Sequence, residues 1–138
     1  MAKGESGFTK AGKSQNNGYA PGDSPYQSML REARQVIRDA GYNPDYLYRL
    51  PEEEFSSISN RHYTSLYNSI ANGEMPTNRF SKATGEELLR IVSRDKVSTA
   101  LYASHSGDDD DTQIRYFKRK MSINSAIEEY VKKKLKRK

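Results

Sequence analysis

Apolar residues recur at helical spacing after residue 24, and this periodicity sets the fold class. Between Ser24 and Gly41 they fall three or four positions apart, at Tyr26, Met29, Leu30, Ala33, Val36, Ile37 and Ala40. Such spacing places one apolar stripe on one face of an α-helix. Ser24 and Pro25 suit the N-cap and the first turn, and Gly41 suits the position after the last turn. The sequence therefore predicts a helix that begins at Pro25 and ends before Gly41.

The chain after this helix predicts a turn and then a second helical region. Asn43 and Pro44 repeat the cap-plus-proline pattern and predict a short turn. Pro51 precedes three glutamates, and carboxylates in a first turn stabilise a helix N-terminus. Apolar residues continue at helical spacing up to Gly73, although serines around Asn60 weaken the pattern. We therefore expect a helix from Pro51 to Gly73, either continuous or divided near Asn60.

Capping sequences predict two further helix starts. Thr84 and Glu87 have the T-x-x-E spacing of a capping box, and Ser125 and Glu128 have the related S-x-x-E spacing. The apolar residues of segment 96–119 suit either a β-hairpin or a helix. We favour the helix because the neighbouring segments are helical and an isolated hairpin is only marginally stable.

Taken together, these patterns predict an all-α domain of four to six short helices over residues 24–138. The alternative is an α+β fold with one hairpin near 96–119. Residues 1–23 are rich in glycine, serine and lysine and cannot bury enough apolar surface to offset the entropy of ordering, so we expect a disordered tail. The last predicted helix carries a stripe formed by Ile123, Ala126, Ile127, Tyr130, Val131 and Leu135.

Composition excludes several classes of function. The 138 residues include no cysteine, which excludes disulfide scaffolds, thiolate metal sites and cysteine nucleophiles. His62 and His105 lie far apart without ligand spacing, so we expect neither a metal site nor a cofactor. No apolar run is long enough to span a membrane. Met1 to Gly12 lack the apolar region of a secretory signal, so we expect an intracellular protein, cytoplasmic or nucleoid-associated.

Positive charge is concentrated at the C-terminal end. The net charge is +5, but residues 114–138 carry +8 and residues 1–113 carry −3. Such asymmetry predicts a polyanionic partner. We expect phosphate contacts from Arg115, Lys118, Arg119, Lys120, Lys132, Lys133, Lys134, Lys136, Arg137 and Lys138. Phosphate contacts carry little base specificity. An acidic protein groove, an anionic membrane surface and a merely solubilising tail are the alternatives.

Two sequence motifs resemble binding sites but do not support a functional assignment. Gly7–Ser14 fits the P-loop pattern G-x-x-x-x-G-K-S, yet its flanks can form neither the buried strand nor the helix that phosphate binding requires. Asp108–Asp111 lacks the ligand spacing of a calcium loop. We expect these aspartates to form a solvated loop. A second hypothesis is that they fold back on the basic segment and compete with a polyanion.

Tyrosine is frequent, with ten residues. Those in apolar stripes are expected in the core: Tyr26, Tyr63, Tyr67 and Tyr130. Three others, Tyr42, Tyr46 and Tyr48, cluster after the first helix. They could stack on single-stranded bases or contact a protein partner, but we favour the interpretation that they seal the junction between two helices.

These features predict a non-enzymatic nucleic-acid-binding accessory protein. No part of the sequence places a nucleophile beside a base. A short, cysteine-free chain with a Gly/Lys-rich tail and a basic end is similar to small accessory proteins of bacteriophages and plasmids. The alternative function is a protein–protein adaptor, inhibitor or assembly component that uses a tyrosine-rich surface. Homo-oligomerisation is left open.

Overall fold

The computed structural model describes residues 24–105 and 111–137, and this part of the chain contains helices and no strands. The four helices are α1 (Pro25–Asp39), α2 (Ser57–Ala71), α3 (Lys82–His105) and α4 (Asp111–Lys136). The all-α prediction is confirmed, and the hairpin alternative for 96–119 is wrong. The predicted tail at 1–23, the P-loop pattern within it, Asp108–Asp110 and Lys138 lie outside the described residues.

Local signals alone determine the ends of α1. The Ser24 side chain accepts a hydrogen bond from the Gln27 amide at 3.1 Å, and the Gln27 side chain accepts one from the Ser24 amide. This reciprocal pair satisfies two amides at the helix N-terminus. Gly41 has a φ of 94° and Gly73 has a φ of 75°, so glycine ends α1 and α2 as predicted.

The helix expected from Pro51 begins six residues later, which corrects the prediction. α2 starts at Ser57 because the side chain of Ser56 accepts a hydrogen bond from the Ser59 amide at 3.1 Å. The helix then continues through Asn60 without the break that the serines suggested.

Of the three glutamates before α2, Glu53 contacts another helix rather than the N-terminus of α2. Glu53 forms an ion pair with Arg90, and its carboxylate lies 4.0 Å from Arg94. The Arg90 guanidinium lies 5.2 Å from the centre of the Phe55 ring. These contacts tie the non-helical segment before α2 to α3, so tertiary packing outweighs the local preference for an acidic first turn.

Both predicted capping boxes after α2 are wrong. α3 begins one turn earlier than expected. Its N-cap is Ser81, whose side chain accepts a hydrogen bond from the Thr84 amide at 3.1 Å. The Glu87 carboxylate instead accepts hydrogen bonds from Ser56, the N-cap of α2. Ser125 and Glu128 lie in the interior of α4. The segment that they were expected to start is the second half of one long helix.

α3 and α4 form the central pair, and α1 and α2 pack on this pair rather than on each other. One cluster joins α1 to the second half of α3 and the first half of α4, through Met29, Ala33, Ile37, Val97, Ala100, Leu101, Ala103, Ile114, Phe117 and Met121. The other joins α2 and its neighbours to the remaining halves, through Leu66, Phe80, Leu88, Ile91, Val92, Ile123, Ile127 and Val131. The antiparallel pair α3–α4 thus buries one face of α4 along its whole length.

Candidate nucleic-acid interface

The outer face of α4 is strongly basic. Its inner face is buried from Ile114 to Val131. The opposite side is exposed and carries six cations: Arg115, Lys118, Arg119, Lys133, Lys136 and Arg137. Because the buried stripe fixes the rotation of α4 about its axis, the fold determines which cations face solvent.

These six cations form two groups in helical register. We call Arg115, Lys118 and Arg119 the proximal triad, and Lys133, Lys136 and Arg137 the distal triad. Corresponding members are eighteen residues apart in sequence, which is five turns of a helix with 3.6 residues per turn, and Arg137 directly follows the last residue of α4. The two triads therefore lie on the same face, about 27 Å apart along the axis.

The side chains between the two triads are mostly short and carry little charge. Ser122, Ser125 and Glu129 are exposed there, and Ala126 is half-buried. A polyanion lying along α4 would meet one carboxylate between the triads, at Glu129. The short side chains leave room for a ligand close to the helix backbone.

The proximal triad has polar neighbours. Arg115 forms an ion pair with Asp111 at 3.3 Å, one turn earlier in α4. Arg119 donates a hydrogen bond to the carbonyl of Ala71, the last residue of α2, at 3.4 Å. Asp111 is the described member of the acidic run, and it lies in the first turn of α4 rather than in the expected solvated loop. Its contact with Arg115 is made within one helix, so the hypothesis that the run folds back on the basic segment stays a prediction. A phosphate that binds Arg115 must compete with this carboxylate.

Lys120 lies on a different side of α4 from the proximal triad. Its ammonium is 2.7 Å from the carboxylate of Asp95 and 5.0 Å from the centre of the Tyr67 ring. Burial acts to lower the pKa of Lys120, but the hydrogen bond and the charge of Asp95 outweigh this effect and raise it. Lys120 is therefore a charged, half-buried residue, and the structure does not bring it together with the other cations.

Asp95 is the centre of a polar network that joins three helices. It accepts hydrogen bonds from the Tyr63 hydroxyl at 3.1 Å and from the Asn124 amide at 2.7 Å, in addition to the Lys120 contact. The carbonyl oxygen of the Asn124 side chain lies 2.8 Å from the Tyr63 hydroxyl and shares the single proton of that hydroxyl with Asp95. Burial, together with the charge of Asp95, raises the pKa of Tyr63 well above its usual range.

Glu128 neutralises part of the basic segment. Its carboxylate contacts Lys132 at 2.8 Å and Lys96 of α3 at 2.9 Å. The hydrogen bond from Lys132, followed by that from Lys96, lowers the pKa of Glu128. The same contact raises the pKa of Lys132. Lys132 is exposed but shares its charge with Glu128, so it contributes less to the basic face than the distal triad does.

Near the end of α4, Arg79 adds one further cation from outside the predicted basic segment. Lys134 lies over the ring of Tyr130 at 5.3 Å, and the Tyr130 hydroxyl donates to the carbonyl of Asn78 at 2.8 Å. Burial raises the pKa of Tyr130, and the positive charge of exposed Arg79 acts against this effect. Arg79 was missed because it lies far from the basic segment in sequence.

The tyrosines after α1 do not seal the helix junction, which corrects that prediction. Tyr42, Tyr46 and Tyr48 are exposed, whereas Leu47 and Leu50 pack against the core. The ring of Tyr48 instead stacks on His105 at the end of α3. By contrast, the tyrosines expected in the core are half-buried there: Tyr26, Tyr63, Tyr67 and Tyr130.

Two further features of the described part of the chain are the surroundings of His62 and a cavity beside α3. Within 24–105 and 111–137, no three His, Cys, Asp or Glu side chains come together to hold a metal ion. His62 shares a hydrogen bond with Asn78 at 3.0 Å. A cavity of about 300 Å³ lies between α1, α3 and α4. Its charged lining residues are Asp39, which accepts a hydrogen bond from Gln35, and the Lys96–Glu128 ion pair, whose groups already satisfy each other.

The described helices do not include one that is long and apolar enough to cross a membrane.

Comparison of the chain with models of known families, with curated proteins and with solved structures finds no match. The geometry of α4 is therefore the main basis for a functional proposal.

Proposed function

We propose that this protein binds nucleic acid through the outer face of α4 and catalyses no reaction. The observation that carries the proposal is the five-turn register of the proximal and distal triads. Six cations on one face of a helix favour the release of counterions from a phosphate backbone. Phosphate contacts of this kind fix the position of a protein on nucleic acid without specifying sequence.

The spacing of the triads is compatible with one continuous polyanion. A duplex rises 3.4 Å per base pair, so the 27 Å between the triads corresponds to about eight base pairs. A ligand of this length can contact both triads at once. A ligand bound to one triad is held near the other triad, which raises the effective concentration of the ligand for the second contact.

The helical body supports binding by holding the cations in place. The buried stripe of α4 packs against α1, α2 and α3, so the backbone that carries the triads is ordered before a ligand binds. Only the long side chains lose freedom on binding, which lowers the entropic cost of association.

The test is a salt titration of binding to a random 20-base-pair duplex, followed by fluorescence anisotropy. Two triple variants replace either the proximal or the distal triad by glutamine. The matched control replaces three exposed arginines outside α4, Arg38, Arg49 and Arg61, and removes the same charge. Each lost phosphate contact reduces the slope of log K against log salt by about 0.9, so each triad variant should lose about 2 to 3 from the slope.

Two results would refute the proposal. One is the absence of binding by the unaltered protein at low salt. The other is an equal loss of slope in the triad variants and in the control, which would show that net charge alone attracts the duplex. Deletion of 132–138 provides a coarser check and should abolish most of the affinity.

A protein–protein adaptor, inhibitor or assembly component is the second candidate, favoured by the exposure of Tyr46 and Tyr48. Tyrosine is enriched at protein interfaces because its ring supplies contact area at little entropic cost. An adaptor should keep an acidic or other protein partner after deletion of 132–138. It should lose the partner when Tyr46 or Tyr48 is replaced by alanine.

A further inference from the structure

The end of the molecule formed by the C-terminus of α3 and the N-terminus of α4 exposes several aromatic rings. Tyr48 is 74% exposed, Tyr102 60% and Tyr116 50%. Monomeric proteins rarely cluster large rings in solvent unless the rings contact a ligand or a partner. None of these three side chains contributes to the two apolar clusters that hold the helices together.

Direct contacts and helical spacing connect these rings into one strip. The Tyr48 ring stacks on His105 with centres 5.8 Å apart and an angle of 24° between the planes. Tyr102 lies one turn before His105 on α3, and its hydroxyl accepts a hydrogen bond from Gln113 of α4 at 3.4 Å. Tyr116 follows Gln113 by one turn. We call Tyr48, Tyr102, His105 and Tyr116 the aromatic strip.

The aromatic strip borders the proximal triad. Tyr116 directly follows Arg115 in α4 and precedes Arg119 by about one turn. α2 ends beside Arg119, through the hydrogen bond to Ala71, and so stops before the α4 turn that carries Tyr116. Rings and phosphate-binding cations are thus adjacent on a surface that α2 does not cover.

We infer that this surface binds single-stranded nucleic acid, with bases stacked on the aromatic strip and phosphates held by the proximal triad. The inference rests on the proposed function and specifies its substrate class. Exposed rings beside a basic surface are the combination that proteins use for single strands, because every base offers a π-face. A duplex keeps its bases stacked on each other and presents only phosphates and groove edges. The adjacent cations favour single-stranded nucleic acid over a protein as the ligand of this surface.

The experiment compares a fluorescein-labelled 20-nucleotide dT strand with a 20-base-pair duplex at one low salt concentration. The variant Tyr48→Leu/Tyr102→Leu removes two rings but keeps apolar bulk and helix propensity. Its affinity for dT should fall by about thirtyfold or more, since each of the two rings contributes substantially to the stacking of one bound base. Its affinity for the duplex should stay within about twofold. Tyr48→Phe/Tyr102→Phe keeps both rings and should bind dT like the unaltered protein.

The outcomes separate this inference from the proposed function. Unchanged dT affinity in the leucine variant overturns the single-strand site, while salt-dependent duplex binding still stands. An equal loss for dT and duplex also overturns the single-strand site. Failure of the unaltered protein to bind either ligand refutes the proposed function itself. Circular dichroism checks folding, and Tyr48→Leu alone, which lies outside every helix, repeats the test if the double variant unfolds.

Discussion

At the residue scale, neighbouring cations of one basic run have different roles. Arg119 and Lys120 are adjacent in a basic run, yet Arg119 lies on the outer face of α4 and Lys120 points into a network around Asp95. A charged residue inside a protein needs a partner because desolvation of an unpaired charge is costly. Lys120 is thus a structural residue, although its sequence context resembles that of a phosphate contact.

Lys120→Met should therefore affect stability and leave ligand binding unchanged. Loss of the ammonium leaves the partly buried carboxylate of Asp95 without its counter-ion, so we expect the free energy of unfolding to fall by about 2 kcal/mol. The salt slope of duplex binding should not change. Urea denaturation and the anisotropy titration measure the two quantities. Arg119→Met serves as the control and should give the reverse result, and a reduced slope in Lys120→Met would contradict this assignment.

At the element scale, tertiary contacts decide which capping signal begins a helix. The ends of α1 followed from sequence because Ser24, Gln27 and Gly41 satisfy the backbone locally. The starts of α2 and α3 did not, since Glu53 and Glu87 bond across to other elements. Sequence identifies a good capping residue, but it does not show which carboxylate will find a partner elsewhere in the fold.

Glu87 should make the junction between α2 and α3 sensitive to acid. The hydrogen bond from the Ser59 hydroxyl, followed by those from Ser56, lowers the pKa of Glu87. A carboxylate with a lowered pKa stabilises the fold above its ordinary pKa of 4.5, and this stability is lost as pH falls through the lowered value. Glu87→Gln should reduce the free energy of unfolding at pH 7. It should also weaken the dependence on pH below about pH 5. Urea denaturation from pH 3 to 7 tests this, and parallel curves for the two proteins would contradict it.

Gly85 should determine how closely α3 approaches the end of α4. A Cβ atom built on Gly85 would lie 2.6 Å from a methyl carbon of Leu135 and 3.2 Å from the Phe80 ring. Alanine in a helix interior is otherwise more stable than glycine by about 0.5–1 kcal/mol. Gly85→Ala should therefore stabilise the Leu135→Ala protein by up to about this amount, since the Phe80 ring still lies close. It should give less gain, or a loss, when Leu135 is present. A double-mutant cycle of thermal unfolding measures the difference, and additive effects would contradict the close contact.

At the scale of the whole molecule, the α3–α4 pair separates the core-forming residues from the basic face. The sequence alone located the positive charge and most of the apolar stripe of α4. It did not place the two triads on one face, because that register requires a single helix through Asp111–Lys136 and segment 96–119 fitted two structures. The aromatic strip was beyond sequence reasoning, since it combines Tyr48 with rings on two other elements.

We expect a polyanion to dock on the outer face of α4. The most direct measurement is the change in backbone amide chemical shifts of ¹⁵N-labelled protein when a 10-base-pair duplex is added at low salt. We predict that the largest changes follow α4 from Arg115 through Ser122 and Glu129 to Arg137, while the exposed residues of α1 stay unperturbed. Changes centred on α1 or α2, or no changes in dilute buffer, would contradict it.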